Sequence, residues 1–297
     1  MMHITLKPPR VAYSERNPAR VDAKPSERSM FVVIGRTSCS YAIKNNPCRF
    51  CAFWDKSPKI EGIAFEDALA KVGVAKGGRI ELVGSGSIFD EEQIPLTQLC
   101  AMLKLVGRTD AHSVLVESRP EYITAEKIKL ARRFLGSKTL EIAIGLETAN
   151  DSLRFMLNKG FSIWDFHNAV STIVDAGAIP VAYLLAGIPT MSDYETQCDI
   201  LESAFTLSLL QKKLGISIRL AIQTFFTSLS LSSLAYLVPE FVAQLAIDVV
   251  QKTGMEVFVA PSSEGLTTHP LNSARAQFDL FNATQDILYL IRIKGSK

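Results

Sequence analysis

The stretch from Phe31 to Asp55, FVVIGRTSCSYAIKNNPCRFCAFWD, places a short apolar run, Phe31 to Ile34, just ahead of three cysteines, Cys39, Cys48 and Cys51. The run reads as a strand, so the thiols follow its C-terminal end. The other two cysteines, Cys100 and Cys198, lie far apart in apolar-periodic helical stretches, which leaves three thiolates in this segment and not four. A structural zinc site would use four ligands, and a redox CxxC would not need Cys39. A [4Fe–4S] cluster on three cysteines leaves one iron without a protein ligand, where a small molecule can bind and be reduced. The plainer alternatives are that Cys39 is a buried small apolar residue, and that Cys48 and Cys51 form a redox pair or half of a zinc site. Asn45, Asn46 and Pro47 supply a turn between the first cysteine and the pair. Phe50, Phe53 and Trp54 surround the pair with aromatic surface that excludes water and offers a face to a planar ring such as adenine.

Working outward, strand and helix patterns alternate. Phe31 to Ile34, Arg79 to Val83, Ser113 to Glu117, Leu140 to Leu146, Ile179 to Leu185 and Ile216 to Ile222 read as six short strands. Between them, Phe65 to Val74, Ile94 to Val106, Ala125 to Leu135, Ile163 to Ala176 and Tyr194 to Leu210 read as amphipathic helices. Thr124 and Ser192 stand where N-caps belong, and Gly136, Gly177 and Gly215 where helices stop. Six βα repeats predict an α/β fold with a parallel, curved sheet and helices outside, a partial (β/α)6 TIM-type barrel. Function in such a barrel sits on the loops after the strands. The expected organisation is an extended basic N-terminal arm over 1–30, the barrel over 31–225, and a C-terminal extension over 226–297 that covers it. Within the extension, Glu240 to Thr253 reads as a helix and Glu256 to Ala260 as a last strand.

Composition is that of a soluble enzyme. A chain of 297 residues with 47% apolar content can bury a full core. No apolar run approaches the ~18 residues of a membrane helix, and the start MMHITLKPPR lacks the apolar core of a signal peptide. An odd number of cysteines, three of them clustered, fits a reducing compartment, so a cytoplasmic location is expected. The net charge is +2, and residues 1–28 carry six Lys or Arg against three acids, which leaves the rest close to neutral. The barrel therefore shows no basic signature for nucleic acid. His112, His167 and His269 have no ligand-spaced partner.

Beyond the cysteines, four segments carry a family resemblance: ELVGSGSIFDEEQIP (81–95), VLVESRPEYIT (114–124), LEIAIGLETANDSLRFMLNKGFS (140–162) and AYLLAGIPTMSDYET (182–196). Together with Cys39, Cys48 and Cys51 they resemble the radical S-adenosylmethionine (SAM) superfamily, in a branch related to the radical SAM subunit of archaeosine synthase. The resemblance covers roughly residues 31–225 and departs from the family in one respect: eight residues separate the first two cysteines here, where three are usual. It implies that the three cysteines hold a [4Fe–4S] cluster, that SAM binds the open iron, and that its reductive cleavage gives a 5′-deoxyadenosyl radical. It also implies that Gly84, Ser85, Gly86 and Ser87 grip the amino-acid end of SAM. Glu117, Arg119, Glu147 and Thr148 offer further polar contacts, and Gly187 and Ile188 a backbone approach to the adenine, with Phe50 beside it. A bare Gly/Ser turn, or an ion pair of Glu117 or Glu147 with Arg119, is the structural reading of the same residues. Lys159 either reaches a carboxylate or covers a helix end, and Arg219 and Gln223 flank the sixth strand as candidates to close the site. The implied partners are a small-molecule substrate and an electron donor such as flavodoxin or ferredoxin, with no membrane. A tRNA-modifying lyase of the archaeosine type and a non-catalytic Fe–S or zinc protein are the alternatives.

Overall fold

The computed structural model describes residues 3–5, 29–35, 39–51, 78–84, 86–188, 191–224 and 239–260. The expected helix Phe65 to Val74, the residues Ser85, Phe53, Trp54, Pro189 and Thr190, and the tail beyond 260 lie outside them. Eight strands form one sheet in simple sequence order: β1 His3–Thr5, β2 Ser29–Gly35, β3 Arg79–Gly84, β4 Ser113–Glu117, β5 Thr139–Glu147, β6 Ile179–Ala186, β7 Arg219–Thr224 and β8 Glu256–Ala260. β1 is antiparallel to β2, and every later pairing is parallel. The six strands read from the sequence are β2 to β7, and Glu256–Ala260 joins the same sheet as a seventh parallel strand. The helices are α1 Ser40–Asn45, α2 Leu96–Gly107, α3 Ala125–Leu135, α4 Asp151–Met156, α5 Ile163–Asp175, α6 Asp193–Leu214 and α7 Pro239–Thr253.

Helix punctuation follows the residues. The Thr124 side chain accepts a hydrogen bond from the Lys127 amide at the start of α3. Ser162 and Ser192 form capping boxes with Asp165 and Glu195, satisfying amides that a helix start leaves unpaired. Gly136, Gly177 and Gly215 all take positive φ at helix ends. The expected strand start at Ile216 is corrected by α6, which runs on to Leu214. The Ile216 amide closes the helix end on the Gln211 carbonyl, and the Ile218 amide donates to the Gln211 side chain. These amides are already committed, so β7 begins at Arg219.

Strand alternation sorts the side chains into two faces. Ile80, Leu82, Val114, Val116, Leu140, Ile142, Ile144, Leu146, Ala182, Leu184, Leu220, Ile222 and Val257 enter the main core with α2, α3, α5, α6 and α7. Each large apolar side chain buried there contributes about 1.5–3 kcal/mol. The other face is layered. At the N-terminal edge of the sheet, Glu141 Oε2 stands 3.0 Å from Arg219 Nη1 and 3.4 Å from Arg79 Nη2. Arg79 also meets Glu81, and Arg219 meets Glu256, each at 3.2 Å. Above this buried charge lies a small apolar layer of Leu115, Ala143, Val181, Tyr183 and Ala221. Among the described residues no helix is long and apolar enough to cross a membrane.

Glu141 is fully buried and bridges two arginines, so removing its charge leaves both guanidiniums undercompensated. Glu141→Gln is expected to lower unfolding stability by about 3–5 kcal/mol, read from the urea midpoint by circular dichroism. A loss below about 1 kcal/mol, the level of an exposed pair, would show that the layer does not hold the barrel together.

Candidate functional site

All the parallel strands end on one edge, and the sequence-predicted site residues gather there. Cys39 follows β2 and is the N-cap residue of α1, its carbonyl accepting from the Ile43 amide at 3.0 Å. Asn46 ends α1 at φ 65°, and the Cys51 amide closes a turn on the Cys48 carbonyl. All three thiols are free and partly exposed. Burial pushes the Cys48 thiol up, while the nearby Lys159 and Arg119 cations pull it down. Among the described residues no three His, Cys, Asp or Glu side chains converge on one metal ion. A cubane asks for something else, since each thiolate takes a different iron and the sulfurs stand apart. Three thiols on one short stretch, beside cations and the Phe50 ring, fit that donor set.

The stretch is pinned from two sides. On one, the Ser40 hydroxyl donates to Asp90 and lies 3.1 Å from the Tyr122 hydroxyl, and Lys44 pairs with Glu92. On the other stands the turn 157–160 after α4. The Leu157 carbonyl accepts from the Arg49 amide, Asn158 Nδ2 lies 3.1 Å from the carbonyl oxygens of Asn45, Asn46 and Pro47, and the Asn158 carbonyl accepts from Tyr41. Gly160, at φ 73°, has the Tyr41 ring where a Cβ would stand. Phe50 packs on Leu157, Leu185 and Ile188, which ties the stretch to the end of β6. Asn158 and Tyr41 escape sequence reasoning, because an Asn in LNKG reads as an ordinary turn residue. The signal is that Asn tolerates the left-handed backbone that the turn imposes there, φ 54°.

The charged residues find partners other than those the sequence offers. Lys159 reaches a carboxylate: its ammonium lies 2.6 Å from Glu147 Oε1, both side chains buried. Desolvation alone would lower the Lys159 pKa, but Glu147 and Cys48 raise it overall. Glu147 takes φ 68° beside a register shift at the end of β5, a conformation that costs a non-glycine residue and marks a constrained site. Arg119 pairs with Glu121, donates to the Lys159 carbonyl at 2.8 Å, and lies 3.7 Å over the Tyr41 ring. The expected pairing of Arg119 with Glu117 or Glu147 is thereby corrected, and neither mouth cation is free for a ligand anion. Arg219 is also corrected, since it opens β7 and sits in the charged layer at the opposite edge.

Glu117 faces the barrel interior and hydrogen-bonds Tyr183. The intervening strand β5 presents only Ala143 and Gly145 on that face, which leaves room for the contact. Burial, reinforced by Glu81, pushes the Glu117 carboxyl up to about 8. It is therefore largely neutral at pH 7. Thr148 is fully buried and donates to Asp199 at 2.6 Å, so it supports the mouth from behind. In the glycine-rich segment, Ser87 is buried; its hydroxyl accepts from the Arg119 amide at 2.9 Å and its own amide donates to Gln93. Gly84 ends β3, and the face of Gly86 meets the flexible end of Gln93. Gly187 takes φ 84° just past β6, with Ile188 buried beside it.

Comparison with known proteins agrees with this arrangement. The family model described as the radical SAM superfamily matches residues 39–201, more than half of the chain. Archaeosine synthase subunit beta of Methanosarcina acetivorans is 29% identical over 184 residues, covering 59% of this chain and 53% of that protein. Its counterpart from Thermococcus kodakarensis is 29% identical over 166 residues, covering 53% and 51%. The chain thus spans about half the length of the curated relatives it matches. Among solved structures, Elp3 of Methanocaldococcus infernus aligns with a TM-score of 0.52 at 14% identity, covering 90% of this chain and 63% of that one. A mutant of spore photoproduct lyase with a dinucleoside spore photoproduct aligns at 0.52 and 12% identity, covering 81% and 78%; at such identities both speak to the fold alone. The matched span opens on Cys39 itself and takes in every strand end that builds the mouth, from β3 to β6: the chain belongs to the radical SAM superfamily.

Proposed function

We propose that this protein is a radical SAM enzyme in which Cys39, Cys48 and Cys51 hold a [4Fe–4S] cluster and the substrate is a small polar molecule bound inside the barrel. The observation that supports this most directly is the set of three partly exposed thiols on one stretch, docked over the strand ends by residues of the β5–α5 connection. When bound and reduced, such a cluster supplies the electron that splits SAM into methionine and a radical able to remove hydrogen from an unactivated carbon. The chain's own work is to orient and to exclude water. Gly84 to Ser87, Glu117, Arg119, Glu147, Gly187, Ile188 and Phe50 ring the mouth where SAM would lie. Arg119 acts through the elements it ties together, and the apolar layer of Leu115, Ala143, Val181, Tyr183 and Ala221 forms a floor that keeps water from the reacting carbon. An electron donor of the flavodoxin or ferredoxin kind would feed the cluster.

The archaeosine-type reading, a lyase step on a modified guanine in tRNA, draws on the two relatives named archaeosine synthase subunit beta. Charge favours the small molecule. The mouth cations Arg119 and Lys159 are neutralised by Glu121 and Glu147, leaving little to meet a phosphate backbone.

Anaerobically reconstituted protein should release 5′-deoxyadenosine from SAM on reduction. Alanine at Cys39, Cys48 or Cys51 should abolish both the visible iron–sulfur absorbance and this cleavage, while Cys100→Ala and Cys198→Ala keep both. An active, cluster-bearing Cys39→Ala would remove that residue from the ligand set. In a mobility-shift assay at physiological salt no tRNA complex is expected, although non-specific binders already show Kd values of about 10⁻⁴ to 10⁻⁶ M there. A tight, salt-sensitive complex would move the archaeosine-type reading to first place.

A neutral Glu117 has its own pH signature. The folded protein holds this proton to about pH 8, whereas the unfolded chain releases it near the ordinary carboxyl value of 4.5. The unfolded state therefore gains on the native one as pH rises between those values, and stability drains away across that window. Glu117→Gln, which mimics the neutral acid, should flatten the slope. Relative to wild type it should gain about 2–4 kcal/mol between pH 5 and pH 8, each pH unit being worth about 1.4 kcal/mol and partial exposure screening some of it. Parallel stability–pH curves for the two proteins would show that the carboxyl ionises normally.

A further inference from the structure

We propose that Asn158 is a positioning residue for the iron–sulfur cluster, its side-chain amide fixing the chain between Cys39 and Cys48 so that the thiols are pre-set before metal arrives. The proposal rests on the cluster reading above. The last carbonyls of a helix have no partner within it. In α1 these include Asn45 and the cap residue Asn46, followed by Pro47, whose ring nitrogen cannot donate to continue the pattern. Asn158 Nδ2 stands 3.1 Å from the oxygens of all three. Two amide hydrogens shared among three carbonyls hold the C-terminal end of α1 at one fixed point, one residue before Cys48.

The backbone around Asn158 is itself locked. Its carbonyl accepts from the Tyr41 hydroxyl at 3.0 Å, the preceding Leu157 carbonyl takes the Arg49 amide, and the following Lys159 carbonyl takes Arg119 Nη2 at 2.8 Å. Tyr41 lies two residues past Cys39, and Arg49 lies between Cys48 and Cys51. One four-residue turn therefore contacts the chain beside every candidate ligand. The residue type follows from the geometry: asparagine accepts φ 54°, donates twice and is short enough to stay in the turn. Aspartate would keep the shape and set a carboxylate against three carbonyls. Glycine would keep the backbone and delete the donor.

The test compares wild type, Asn158→Gly and Asn158→Asp as full-length, anaerobically reconstituted protein. Two quantities are read: the rate of iron release to bathophenanthroline disulfonate, and the EPR line shape of the dithionite-reduced cluster. The Gly variant should lose iron about tenfold faster, equivalent to about 1.4 kcal/mol, which is the scale of one or two such hydrogen bonds. The Asp variant should be faster still, and both should show broadened or shifted EPR signals while the apoproteins melt as wild type does. An Asp variant that keeps its iron and its EPR signal as wild type does overturns the proposal, because backbone shape alone would then suffice. A wild-type protein that takes up no iron overturns the cluster reading, and this proposal falls with it.

Discussion

The ammonium of Lys159 and the carboxylate of Glu147 are buried together at 2.6 Å, and much of the mouth is arranged so that they stay so. A buried pair is tolerated only when its geometry is good, because either charge alone would face a large desolvation cost. Gly145 is part of the solution: a Cβ there would stand 2.5 Å from Glu147 Oε1 and 2.9 Å from Lys159 Nζ. The left-handed backbone of Glu147 is another, since it turns the side chain at the strand end. The Phe50 and Phe161 rings, 5.2 and 5.9 Å from the ammonium, add their negative faces. Through Lys159 the end of β5 fixes the turn that in turn holds the cysteine stretch.

The barrel interior alternates polar and apolar layers along its axis. At one edge, two arginines and three glutamates neutralise one another where no solvent competes. The apolar layer of small and medium side chains separates them from the mouth. Glu117 lies on the mouth side without a cation to pair with among the described residues, and its proton stands in for one. The two ends thus meet the same problem, burying carboxyl groups, by different means: ion pairs at the closed edge and protonation at the working one.

Periodicity and caps carried most of the fold in the sequence. Six strands, the cap residues Thr124 and Ser192 and the stops at Gly136, Gly177 and Gly215 were all readable, because each rests on local chemistry. The short helices α1 and α4 were not, since six residues are too few to show a period and their stability comes from docking. β1, three residues inside a basic arm, carries no pattern of its own. In the site, the cysteines and acids were legible by type. Their partners were not: which carboxylate meets Arg119 or Lys159 depends on strand register and on a turn whose path a list of residues does not contain. Arg219 misled for the same reason, because a shift of three residues in the strand start moves a side chain from one end of the barrel to the other.

The helix α1 bears on how ligand spacing should be read in such chains. Eight residues drawn out as a strand would carry Cys48 about 27 Å from Cys39. Wound into a helix, six of them advance only about 9 Å. Contour length and reach are thus uncoupled: the added residues are taken up as pitch, and the metal-facing ends need not move apart. A ligand motif written as a count of intervening residues measures the wrong quantity for this chain. What the site constrains is the end-to-end vector of the intervening segment, and a turn of helix lets a long segment deliver the vector of a short one.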